Sequence, residues 1–122
     1  MSRNETPGPR RGEIWSVCFD PSVGAEVCKA RPAIVISEDE IGTLPLRIVV
    51  PVTGWSEKFT KAQWHVKLKG SKLNGLSKDS SADCFQVKSI SLTRFRQKIG
   101  IISEPEQDEI SAAIALCVGY SP

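Results

Sequence analysis

The sequence predicts a mainly β domain: a small curled barrel of five or six short strands with one helix at its C-terminal end. Three observations carry this. Residues 13–19 and 63–69 alternate apolar with polar side chains, the period of a half-buried strand. Ala33-Ile34-Val35-Ile36 is an unbroken apolar, mostly β-branched run, the pattern of a strand buried on both faces. Ser103-Glu104-Pro105-Glu106 is a helix start of the capping-box kind, followed by Ile110, Ala113, Ile114 and Cys117 on one helical face.

Taken in order, the first strand puts Trp15, Val17 and Phe19 on one face and Ile14, Ser16 and Cys18 on the other. Asp20-Pro21-Ser22-Val23-Gly24 is turn chemistry and opens a loop to about residue 30. The second strand spans 31–37. Pro32 cannot donate to a ladder, so it belongs at the strand's start, and it holds Arg31 extended. Residues 46–53 form a third strand, in which Pro51 suggests an edge or a bulge. A loop over 54–62 carries Trp55, Lys58 and Lys61. The fourth strand, 63–69, turns Trp64, Val66 and Leu68 inward and His65, Lys67 and Lys69 outward. Residues 70–81 read as a Gly/Ser/Lys-rich loop with a short strand near Leu76, then come a strand over 82–89, a short turn at 92–95 and a last strand over 98–102. The apolar face of the helix is expected to cover the open side of the barrel. Trp15 and Trp64 read as core, whereas Trp55 is either a loop anchor or a surface on which a base stacks.

The length, 122 residues, suits one domain, and 40% hydrophobic with 25% charged residues is ordinary for a globular chain. No apolar run approaches the roughly 20 residues of a membrane span. The Pro- and Gly-bearing residues 1–10 hold no apolar segment and read as a disordered tail, not a signal peptide, before a single domain over 11–122. A cytoplasmic location is expected. Cys18, Cys28, Cys84 and Cys117 form no C-x-x-C pair and His65 is the lone histidine, so no metal site and no cofactor is expected. In a reducing compartment the four cysteines are expected as free thiols. Charge is uneven. Residues 58–98 hold ten Lys/Arg against two Asp/Glu, whereas residues 99–122 hold four acids and no base. A basic middle is either the footprint of a polyanion or a solvated strand face.

Five stretches stand in a telling order: Gly12-Glu13-Ile14-Trp15; Asp20-Pro21 with Gly24 and Glu26; Arg31-Pro32 with Val35-Ile36; Val49-Val50-Pro51-Val52-Thr53; and Gln86-Val87-Lys88-Ser89. Together they resemble the MazF/PemK family of toxin endoribonucleases over roughly residues 11–120. The resemblance implies an SH3-like barrel with helical decoration, of the kind shared with the CcdB-like gyrase-poisoning toxins, and usually a homodimer. It implies the toxin of a type II toxin–antitoxin system that cuts single-stranded mRNA. It also implies a cognate antitoxin, MazE-like, with a disordered acidic tail. The matching site residues are Arg31, Thr53 and Glu26 as the catalytic set, with Lys29, Trp55, Lys58, Gln86 and Lys88 toward RNA. RNA can be cut without a metal when its own 2′-OH attacks the adjacent phosphate, given a base, an acid and cations for the phosphorane charge. Arg31 offers a planar fork of donors for phosphate oxygens, and Thr53 a hydroxyl. Glu26 is either the base or a group that orients Arg31. Gln86 either binds RNA or satisfies buried backbone groups. Two departures stand out: Phe85 and Ser91 occupy positions where the family commonly has acids. A barrel toxin that binds a protein such as gyrase, or an inactive member that binds only RNA or antitoxin, remain the other readings.

Overall fold

One nine-residue strand is shared by three others. In the computed structural model, which describes residues 8–19, 28–41 and 44–121, β1 is Glu13–Cys18, β2 Ala30–Val35, β3 Leu46–Gly54, β4 His65–Leu68, β5 Ser80–Asp83, β6 Lys88–Ser91 and β7 Phe95–Ile101. The single α-helix, α1, is Glu104–Cys117. Along one edge, β3 pairs with β2 through Val49, Val50 and Pro51. Along the other, Leu46 to Val49 pair with β6, and Val52 to Gly54 pair with β5. Every pairing is antiparallel, and the order is β4-β5-β3-β2-β1-β7 with β6 also against β3. Pro51 sits at the handover between β6 and β5. It therefore lies in a central strand, not on the expected edge, at a point where neither of those partners pairs with it.

The β-branched run of β2 is buried on both faces, as its composition predicts. Ile34 joins Ile14, Val50, Val52, Val66, Leu68 and Ala82 inside the curl, where Ile110 and Ala113 of the helix close it. Ala33 and Val35 turn to the opposite face with Val17, Val49 and Ile90, roofed by Trp15, Phe19 and Phe95. At the helix start, the Ser103 hydroxyl accepts from the Glu106 amide, and the Glu106 carboxylate accepts from the Ser103 amide at 2.9 Å. The helix ends in a Schellman motif. Gly119, at φ +78°, donates to Leu116 and Tyr120 donates to Ala115, a left-handed turn that favours glycine. Among the described residues no helix is long and apolar enough to cross a membrane.

Four further expectations are corrected. Trp64 is 41% exposed and not core, because β4 begins one residue later and Val66 and Leu68 alone face inward. No strand forms near Leu76. Instead Asn74, nearly buried, accepts from the amides of Ser71 and Leu76 and donates to the Lys69 carbonyl, a side-chain scaffold for a turn. The single strand expected over 82–89 is two, β5 and β6, separated by a 3-10 turn at Cys84–Gln86, because the chain must pass from one half of β3 to the other. The fourth concerns thiols. Cys18 and Cys28 are joined in a disulfide, with Cα atoms 5.8 Å apart, because β1 and β2 bring the two ends of the first loop together, Cys18 opposite Ala30. Cys84 and Cys117 are free, and burial pushes the Cys84 thiol up to about 12. The expected tail over residues 1–10 lies mostly outside the described residues. Pro9 is buried and its carbonyl accepts from Arg47, so that end of the stretch packs onto the domain.

Arg47 was not foreseen. It is 4% exposed on β3, and its guanidinium donates to the carbonyls of Pro9, Leu44 and Leu46 at 2.8–3.2 Å. It gives three main-chain carbonyls a charged donor in place of water. Glu13, at the β1 start, is opposed in two ways. Burial raises its pKa, but hydrogen bonds from the Trp15 indole and the Arg10 amide, with Lys98 at 3.1 Å, bring it below the ordinary carboxylate value. A depressed folded pKa means stability present at neutral pH and lost as acid titrates the group below its usual range.

Arg47→Ala should cost about 3 kcal/mol, read by denaturant unfolding, because it removes a charged donor from one buried and two part-buried carbonyls at once. A loss below about 0.5 kcal/mol would show that water serves these carbonyls equally well. Reductant should lower the melting temperature by about 10 °C, since closing so short a loop contributes about 2–3 kcal/mol. An unchanged melting curve would show that the bond adds nothing.

Candidate active site

Arg31 and Thr53 lie at the ends of neighbouring strands. Ala33 pairs with Pro51, so the same register carried two residues further brings Arg31 opposite Thr53. Thr53 in turn pairs with Ser81 of β5, and Ser81 with Lys67 of β4. Side chains in one such row share a face of the sheet. Ser81 is fully buried, and its hydroxyl meets Nδ1 of His65 at 2.7 Å. The imidazole also stacks on Phe59 with centroids 3.7 Å apart. His65 is therefore packed into the structure and not simply solvated, as an outward position on an alternating strand had suggested.

Two clefts meet at Arg31 and Thr53. One, of about 360 Å³, is lined by Phe19, Arg31, Pro51, Val52, Thr53, Asp83, Gln86 and Lys88. The other, of about 250 Å³, shares Arg31, Val52 and Thr53 and continues over Gly54 to Lys78 and Ser80. Arg31 and Thr53 are exposed, and among the described residues Arg31 has no ion-pair partner. Three cations, Arg31, Lys78 and Lys88, face one acid, Asp83, across the two clefts. Lys88 also lies 5.0 Å over the Phe19 ring. Lys78 lies against Gly54, at ordinary contact distance from where a Cβ would stand. Such a wall can hold the non-bridging oxygens of a phosphodiester between two compartments large enough for the flanking nucleosides. Among the described residues no three His, Cys, Asp or Glu side chains are grouped to hold a metal ion.

The sequence-derived set is therefore divided. Arg31, Thr53, Gln86 and Lys88, spread over more than fifty residues, meet in one cleft. Lys29 is exposed two residues before Arg31 and does not line either cleft. Trp55 and Lys58 do not line them either. The Trp55 indole donates to Glu57 at 3.2 Å, its ring meets Phe59 edge-on, and Lys67 lies 5.0 Å above it, while Lys58 stands over Phe59. Trp55 is an anchor for the 3-10 turn at Glu57–Lys61. Glu26 lies outside the described residues. Sequence reasoning passed over Lys78, hidden in a Lys-rich loop, and Asp83, which only its place between the strand and Gln86 could have flagged.

Comparison with known proteins accords with this geometry. Residues 10–118 match the family model described as PemK-like, MazF-like toxin of type II toxin–antitoxin system. Endoribonuclease MazF9 of Mycobacterium tuberculosis is 35% identical over 113 residues, covering 88% of this chain and 93% of that protein. In structure, the Mycobacterium tuberculosis toxin MazF-mt6 superposes with a TM-score of 0.72 at 19% identity, covering 90% of this chain and 99% of that one. An endoribonuclease in complex with its cognate antitoxin from a mycobacterial species gives 0.70 at 15% identity, covering 94% and 99%. At those identities the structural likeness speaks for the fold, an antiparallel barrel with a C-terminal helix, while the sequence match spans nearly the whole domain. This chain belongs to the PemK/MazF family of type II toxins.

Proposed function

We propose that the protein is an endoribonuclease, the toxin of a toxin–antitoxin pair, which cuts single-stranded RNA without a metal by attack of the 2′-OH on the adjacent phosphate. The observation that carries this is the placement of Arg31 and Thr53 in the wall common to two cationic clefts. A phosphate on that wall meets a guanidinium fork and a hydroxyl, and the nucleosides on either side enter the two clefts. As the 2′-oxygen attacks, negative charge grows on the non-bridging oxygens, and preformed donors there hold the transition state more tightly than the ground state. Arg31 serves as the electrostatic clamp, because its planar fork of donors matches two phosphate oxygens at once. Glu26, which falls between Cys18 and Cys28 in the sequence, completes the set as base or as the orienter of Arg31. Unpaired bases of single-stranded RNA can splay into such clefts, which a duplex cannot do.

The same cations suit an acidic, disordered antitoxin tail, which would fold onto the clefts and exclude RNA. A cytoplasmic homodimer belongs to the same reading. The exposed apolar side chains Trp64, Phe85, Leu116, Val118 and Tyr120 leave apolar surface for self-association.

Incubation with a long RNA in EDTA should yield fragments bearing 2′,3′-cyclic phosphate and 5′-hydroxyl ends. Arg31→Ala should lower the rate by about 10²–10³ with the melting curve unchanged, and Thr53→Ala by less. Loss of cutting on chelation, or near-normal activity of Arg31→Ala, would refute the mechanism. The assay also separates the enzyme from a barrel that only binds gyrase, RNA or antitoxin. Affinity for a non-cleavable RNA should fall with salt, each phosphate contact contributing about −0.7 to the log–log slope. Lys78→Ala and Lys88→Ala should each make that slope shallower by about one contact, and an unchanged slope would remove the lysine from the footprint.

A further inference from the structure

Asp83 stands in the cleft wall without a structural task. It holds the N-cap position of the 3-10 turn Cys84–Gln86, where an aspartate ordinarily accepts a backbone amide, yet its side chain caps nothing. Its Oδ2 instead accepts from Nε2 of Gln86 at 2.9 Å. Its Oδ1 is buried and is the single buried side-chain oxygen or nitrogen among the described residues with no partner. A half-satisfied buried carboxylate opposes folding. It also opposes phosphate binding in a cleft otherwise built of cations. Neither stability nor affinity accounts for it.

What the carboxylate does is orient an amide. The Gln86 amide turns its nitrogen toward Asp83, whose Oδ2 accepts from it. The side chain of Gln86 is exposed and makes no other hydrogen bond among the described residues, so this one contact decides which way the amide faces. Oε1 and the second N–H are left as an acceptor and a donor in fixed order beside Arg31 and Thr53. Nucleobase edges come in two such orders. Adenine and cytosine present an exocyclic N–H beside a ring nitrogen that accepts, and guanine and uracil present an exocyclic oxygen beside a ring N–H. An amide free to turn over pairs with both orders, and a locked amide pairs with one.

We propose that Asp83 is a positioning residue for base selection: it locks the Gln86 amide so that the cleft beside the scissile phosphate admits one class of base edge, amino or keto, and rejects the other. This rests on the endoribonuclease reading and deepens it.

The discriminating variant is Asp83→Asn. Asparagine keeps the shape and the contact but offers both a donor and an acceptor, so the amide of Gln86 can face either way. The cut positions of a long RNA are mapped by sequencing its 5′-hydroxyl ends. Short RNAs with each of the four bases on either side of the cut are then compared, for cleavage and, with a 2′-deoxy group at the cut, for binding by fluorescence anisotropy. The native protein should prefer one edge class at one position by about tenfold or more. In Asp83→Asn that preference should fall toward parity, mainly through gain on the disfavoured class, with the melting temperature kept. Gln86→Ala should lose the same preference. Discrimination retained in Asp83→Asn, or absent from the native protein, would overturn the proposal. Native protein that binds selectively but never cuts would uphold the base-reading couple and overturn the nuclease reading instead.

Discussion

The site depends on the three-way pairing of β3. A strand with two edges ordinarily has two partners, but β3 is long enough to give each half of one edge to a different strand. That handover curls the sheet, so β5 and β6 leave β3 in succession with the Cys84–Gln86 turn between them. Gln86 and Lys88 are delivered by the turn and the strand that follows it, and Thr53 by the end of β3 itself. Arg31 arrives from the opposite edge through β2. Remove any one pairing and the four side chains belong to separate surfaces.

Packing keeps these groups rigid while leaving them exposed. Beneath Arg31, β2 is buried on both faces, first by the barrel interior and then by the outer cluster around Val17 and Val49. Two-sided burial leaves a strand little freedom to shift, so a charged side chain at its end is held with little cost in further ordering. The helix α1 contributes through Ile110 and Ala113, which join the buried interior cluster. Arg47 performs a comparable task at the far end of β3, where three carbonyls accept from a buried cation that has no carboxylate partner among the described residues. Arg47 is thus structural, whereas the cations of the two clefts are placed where a ligand can reach them.

Strand identities were legible where burial is one- or two-sided in a regular way, as in β1 and β2, and so was the helix, because its capping box is a local hydrogen-bonding pattern. Trp64 misled because alternation was extended one residue beyond the strand. The 82–89 segment misled because apolar content does not record which neighbour a residue pairs with, and a change of neighbour requires a turn. The Cys18–Cys28 bond was missed for a similar reason: ten residues of separation do not reveal that the two ends of a loop are brought together by paired strands.

By itself the sequence determined the class of fold, the order of the main elements, and the residues that match the family pattern, Arg31 and Thr53 among them. These follow from local preference and from side-chain types whose chemistry is intrinsic: periodic apolar faces, a proline that sets an extended arginine, a serine and glutamate that start a helix. Only the tertiary structure decided which of the candidates meet. It gathered Gln86 and Lys88 into the cleft, added Lys78 and Asp83, and placed Trp55 and Lys58 around a separate turn. Proximity between distant residues depends on strand partners and register, and these are set by the summed burial of the whole sheet, not by any segment within it.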